Sequence, residues 1–160
     1  MNWQDFDCVE EWALPLVPSS GEGAPTHIVD ACGAVGRDLH HRRYGPDVDI
    51  AVAVWTISLH EEGNCHVGLR PGARHSVPNA YPLHSFSFGG THIDQALETA
   101  TVIIADAVQG ELAGYPPHIQ WPIEEKRLLL PTVRDGQAIW RDPRTDRHVA
   151  EIGFLSSARA

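Results

Sequence analysis

Asp49-Ile50-Ala51-Val52-Ala53-Val54-Trp55-Thr56-Ile57-Ser58-Leu59, then Glu61-Glu62-Gly63-Asn64, then Cys65-His66-Val67-Gly68-Leu69, is the stretch that decides the fold. Its first run is rich in β-branched and apolar residues and reads as a central strand, apolar on both faces. The acidic Glu61–Asn64 segment reads as a turn. In the run after it, Cys65, Val67 and Leu69 alternate with His66 and Gly68, the period of a strand. Two strands joined by a short turn pair antiparallel. Downstream, beyond the loop at residues 70–79 that carries Arg70, Arg74 and His75, Leu83-His84-Ser85-Phe86-Ser87-Phe88 alternates again and adds a third strand.

Farther on, Gly89-Gly90 reads as the end of that strand, and Thr91-His92-Ile93-Asp94 as a capping box with Asp for Glu. Ile93, Leu97, Ala100, Ile104, Ala107, Val108 and Leu112 then mark an apolar stripe, so a long helix is expected over about 91–113, stopped by Gly114 and Pro116-Pro117. The remainder reads as β: Pro131 argues for an edge position or a bulge, Asp135-Gly136 signals a two-residue hairpin, and residues 142–146 form a second turn.

Upstream, Thr26 reads as the N-cap of a helix whose stripe is Ile28, Cys32, Val35 and Leu39. The His40-His41-Arg42-Arg43 cluster suits that helix's C-terminus, where cations meet exposed carbonyls. Trp3, Phe6, Val9, Trp12 and Leu16 lie three or four apart and predict a first helix over 3–16, followed by a connector at residues 18–25. The expected class is α+β. A twisted antiparallel sheet of about five to six strands carries the long helix and two N-terminal helices. Residues 1–160 read as one domain, with 1–25 an acidic helix and linker and 26–160 the α+β core.

The chain has 160 residues, 42% of them hydrophobic, enough for one core. Its net charge of −9 argues against general nucleic-acid binding, which needs a basic face. The charge is uneven. Asp5, Asp7, Glu10, Glu11, Glu22 and Asp30 precede the first basic residue, Arg37, so the first 36 residues carry six of the nine net negative charges. No run approaches the roughly 18 apolar residues of a membrane span, and the acidic, interrupted start does not read as a secretory signal. Three widely spaced cysteines, Cys8, Cys32 and Cys65, with no C-x-x-C fit a reducing, cytoplasmic setting.

No catalytic motif stands out. There is no G-x-S-x-G, no H-E-x-x-H and no phosphate-binding glycine loop, and Lys126 is the only lysine. The pairs Glu61-Glu62 and Glu124-Glu125 sit where adjacent carboxylates point apart. Ten histidines invite a metal reading, in which His60, His66, His84 and His92 line one sheet face and hold zinc. Otherwise no cofactor is implied. Most of the five tryptophans suit core packing, but Trp3 and Trp12 lie on the acidic segment, where tryptophan can anchor an interface.

Pro116-Pro117-His118, Val133-Arg134-Asp135-Gly136-Gln137-Ala138-Ile139-Trp140, Pro143-x-Thr145-Asp146 and Val149-Ala150-Glu151-Ile152-Gly153 resemble the closing segment of small bacterial α+β proteins of the immunity or antitoxin type. The resemblance spans residues 91–155 and rests on turn chemistry and a tryptophan. It implies a partner protein and no catalytic residues. The expectation is therefore a non-enzymatic protein-binding module that meets a partner such as a basic toxin through Trp3, Asp5, Asp7, Glu10, Glu11 and Trp12. The alternative is a small metal-dependent enzyme or ligand-binding domain on the histidine face. A homo-oligomer subunit without a small-molecule site is a third reading.

Overall fold

Strand β2 (Val54–His60) pairs antiparallel with β3 (Asn64–Arg70) across a single 3-10 turn at Glu61–Gly63, as the hairpin reading requires. A computed structural model describes residues 8–21, 23–74 and 80–156. In it β1 (Cys8–Pro15) and β4 (Phe86–His92) flank that hairpin, giving a four-stranded antiparallel sheet in the order β1-β2-β3-β4. Two further antiparallel sheets follow. One joins β5 (Ile123–Glu124) to β6 (Arg127–Leu128). The other joins β7 (Leu130–Arg134), β8 (Gln137–Arg141) and β9 (His148–Glu151). Among the described residues the α-helices are α1 (Thr26–Asp38) and α2 (Leu97–Gly114). The class is α+β, but the strands divide among three sheets instead of forming one of five or six.

The helix expected over 3–16 is a correction. From Cys8 onward that segment is β1; its earlier part lies outside the described residues. Leu14 and Leu16 are buried and Trp12 half-buried, while Glu11, Ala13 and Pro15 between them are exposed. That is a two-residue period, and pairing with β2 satisfies the backbone that a helix would have satisfied internally. The three-four spacing of the apolar residues is coincidental with it.

The long helix begins six residues later than expected. Gly89-Gly90 does not end the strand. β4 runs through it with a bulge, where Cys65 pairs with Thr91 but Val67 with Phe88. Thr91 is buried, and its hydroxyl donates to the Cys65 carbonyl at 2.9 Å. The residue before α2 is Ala96, with no side-chain cap, so Asp94 does not cap it; α1 likewise has no side-chain cap and Thr26 is its first residue.

The expected α1 stripe holds: Ile28, Cys32, Val35 and Leu39 are fully buried. On α2, Ala100, Ile104, Val108 and Leu112 are buried, whereas Leu97 in its first turn, and Ile93 ahead of the helix, are exposed. Helix α2 packs on α1 and also touches β4, β7 and β8, so one core lies between the helices and both larger sheets. Trp55, Trp121 and Trp140 fill it, the last two edge-to-face with ring centroids 5.1 Å apart. At the β7–β8 turn, Asp135 and Gly136 have φ of 51° and 75° and join Arg134 to Gln137, the two-residue hairpin expected there. Pro131 lies on β7, an edge of its sheet.

Two of the three large tryptophans, Trp121 and Trp140, converge on one buried acid. Asp38 closes α1, and its Oδ2 accepts from Trp140 Nε1 at 2.7 Å and from the Gly153 N–H at 2.6 Å. Its Oδ1 accepts from the Leu155 N–H at 3.0 Å, and its backbone carbonyl from Trp121 Nε1 at 3.0 Å. Burial pushes the Asp38 carboxyl up, and the N–H groups of Gly153, Trp140 and Leu155 oppose this. Trp55 Nε1 donates to the Leu16 carbonyl at 2.8 Å and ties β1 to β2.

Candidate functional site

Strand β2 is apolar on only one face, which corrects the expectation of a strand buried on both. Trp55 and Ile57 enter the core, whereas Thr56, Ser58 and His60 are half-buried on the other side. The register carries that polar face across the sheet. Glu11 pairs with Ser58 and Ser58 with His66; Ala13 pairs with Thr56, Thr56 with Gly68 and Gly68 with Ser87. A shallow depression of about 600 Å³ opens there, lined by Glu11, Ala13, Thr56, Ser58, Arg70 and Ser87 together with parts of Trp12 and Ile57. Between Thr56 and Ser87 in the register, Gly68 has no room for a side chain: a Cβ there would lie 2.6 Å from Thr56 Oγ1 and 2.7 Å from the Phe86 carbonyl.

Of the expected partner-binding residues, Trp3, Asp5 and Asp7 lie outside the described residues. Glu10 and Glu11 are both exposed on β1, an edge strand. Trp12 is half-buried and packs against the core.

The four histidines of the metal reading are not brought together. His60 and His66 are neighbours, with ring centroids 4.3 Å apart, and His60 Nε2 lies 2.9 Å from Ser58 Oγ. Burial, followed by the neighbouring His60, lowers the pKa of His66. His84 instead stacks on Tyr115 at 4.0 Å. His92 is held in the β2–β3 turn: its Nε2 lies 2.7 Å from the Glu62 carbonyl, and its Nδ1 accepts from the Asp94 N–H at 3.0 Å. Among the described residues no group of three or more His, Cys, Asp or Glu side chains is arranged to hold a metal ion. The thiols of Cys32 and Cys65 are buried, and burial pushes both up, away from the reactive thiolate.

Several charges outside this face have structural partners. Glu124 is buried and receives Arg147 at 2.6 Å and Arg42 at 3.6 Å. Asp142 takes Arg127 at 2.9 Å and the Arg144 N–H at 2.9 Å. Arg134 and Arg141 reach Asp146 at 2.6 and 3.7 Å. The guanidinium groups of Arg141 and Arg147 are thus engaged by acids at the β8–β9 end of the fold. Arg43, after α1, donates to the Val48 carbonyl at 3.1 Å. Among the described residues no helix is long and apolar enough to cross a membrane.

The polar members of the sheet face that sequence reasoning did not join into one surface are Thr56, Ser58, Arg70 and Ser87. Their signal was present as the polar half of each alternation, but which strands are neighbours had to be known before they formed one surface. Compared with known proteins, the chain matches no protein-family model, no curated protein and no solved structure.

Proposed function

We propose that this chain is a non-enzymatic protein-binding module of the immunity or antitoxin type. Its acidic edge strand meets a basic protein, such as a toxin whose own cleft is built to hold nucleic acid. One observation carries the reading: Glu10 and Glu11 stand exposed and adjacent on edge strand β1, with Trp12 half-buried beside them. Acidic side chains on an approachable edge steer a basic partner in solution. A tryptophan already seated on the core supplies a contact that loses little entropy on binding. Trp3, Asp5 and Asp7 extend the same stretch along the sequence. The open polar face beside β1 gives such a partner hydroxyls and the Arg70 guanidinium to hydrogen-bond.

The experiment is capture from the native host at low ionic strength, where acidic steering is strongest. Wild type is compared with the double variant Glu10→Gln/Glu11→Gln. A basic protein retained by wild type, depleted by the variant and released by salt supports the reading. Recovery of no partner, or equal recovery by both forms, rejects it.

A further inference from the structure

A cleft of about 220 Å³ opens between α1, the first turns of α2 and the β8–β9 region, and shares no lining residue with the depression beside β1. Its floor is apolar, with Ala34, Ala138 and Ile152 buried there. Two large apolar side chains stand out of the core on its walls: Leu97 is 44% and Phe154 49% exposed. Phe154 is turned outward by the Ile152–Leu155 turn, in which Gly153 has a φ of 104° and packs against Ala34.

Three elements each place a carboxylate on this cleft: Asp30 on α1, Glu98 on α2 and Glu151 on β9. None of the three makes an ion pair among the described residues. The lining's one cation, Arg37, is engaged at the cleft wall itself and leaves three carboxylates against one guanidinium. Its Nε donates to the Gly153 carbonyl at 3.2 Å, and its guanidinium stands 5.9 Å from the Phe154 ring centroid. The cleft therefore joins an apolar slot to an excess of negative charge.

The geometry points to this cleft as the seat of an arginine side chain presented by a protein partner. An alkyl stem fits against Leu97, Ile152 and Phe154, while a cationic head meets the three carboxylates. The planar guanidinium fork suits two carboxylates at once, and an anionic or purely aliphatic group would leave them unmatched. The inference rests on reading the chain as a binder of a basic protein and adds a second point of contact, away from β1.

Titration of the full, isotope-labelled chain with the capped peptide acetyl-Leu-Arg-Leu-amide, followed by amide NMR shifts at low ionic strength, tests it. Saturable shifts are expected at Ala34, Leu97–Thr101, Gln137 and Ile152–Phe154. The glutamine analogue acetyl-Leu-Gln-Leu-amide should bind about tenfold more weakly, as should the arginine peptide to the variant Glu98→Gln/Glu151→Gln. The lysine analogue should fall between the two peptides. Glu10→Gln/Glu11→Gln should leave the affinity unchanged. Shifts that miss the cleft, or equal binding of the arginine and glutamine peptides to wild type, overturn the inference; the peptide comparison needs no variant to fold. Failure of the two proposals is separable. A flat titration with intact partner capture removes the cleft alone, whereas cleft binding without any captured partner removes the functional reading alone.

Discussion

Asp38 is the residue on which the most separate parts of the chain depend. Its carboxylate and carbonyl receive both buried tryptophan N–H groups of the C-terminal half and two backbone N–H groups of the closing turn. Asp38→Ala leaves three side-chain-bound donors without acceptors, and a loss on the order of 3–5 kcal/mol is expected in urea unfolding. Asp38→Asn should recover part of that, because one oxygen still serves Trp140 and Gly153 while its amide group opposes the Leu155 N–H. A loss under about 1 kcal/mol for the alanine variant would show that the closing turn does not depend on this acid. Nothing in the sequence marks Asp38 out; it is one acid among 21, and its partners lie more than 80 residues away.

Asp142 is the clearer case for pH. The Arg144 N–H, and then the Arg127 guanidinium, hold its carboxyl below the ordinary range, against the opposing effect of burial. A depressed folded pKa contributes stability above the unfolded value of about 3.9, and that contribution is lost as pH falls through the folded pKa. The wild-type advantage over Asp142→Asn should therefore be constant near neutrality and shrink below about pH 4. Denaturation midpoints of both proteins across pH 2–7 check the sign; an advantage that grows on acidification refutes it.

At the scale of elements, close approach decides more than propensity. Helix α1 crosses the end of β1 so closely that a Cβ on Gly36 would collide with the Leu16 carbonyl. Gly36→Ala improves helix propensity by about 1 kcal/mol, yet it should destabilise the protein by about 1–3 kcal/mol, because a backbone must shift. A thermal melt decides the sign, and a raised midpoint would place α1 farther from β1 than described. The Asp135-Gly136 turn is the opposite case, since its conformation was legible from two residues. The identities at positions 135 and 136 predict positive φ at both, and both have it. The Thr91–Asp94 reading failed because a buried hydroxyl bond to Cys65, across the sheet, outweighs a local cap. β1 failed as a helix for a related reason: its partner β2 lies some 40 residues away, beyond the reach of periodicity.

For the whole molecule, the uneven charge has a spatial form. The described members of the N-terminal acidic run divide between two places. Glu10 and Glu11 lie on the edge strand, while Asp30 lines the cleft with Glu98 and Glu151 from elsewhere in the chain. Electrostatic steering by such surfaces weakens with salt, so partner capture should fall steeply between about 20 and 200 mM salt. Capture that is indifferent to salt would mean that apolar contacts, not these carboxylates, hold the partner.

What the sequence by itself determined is local: the β2–β3 hairpin, the α1 stripe, the Asp135-Gly136 turn and the imbalance of charge. Each follows from periodicity or turn chemistry within a few residues. Only the tertiary structure decided that residues 8–15 form a strand, that the strands divide among three sheets, and that α2 bridges the two larger ones. It alone gathered Asp38 with Trp121 and Trp140, separated His84 and His92 from His60 and His66, and brought Asp30, Glu98 and Glu151 around one cleft. The physical reason is common to all of these. Long-range hydrogen bonds and burial set which distant segments meet, and no local pattern encodes the identity of a partner 40 or more positions away.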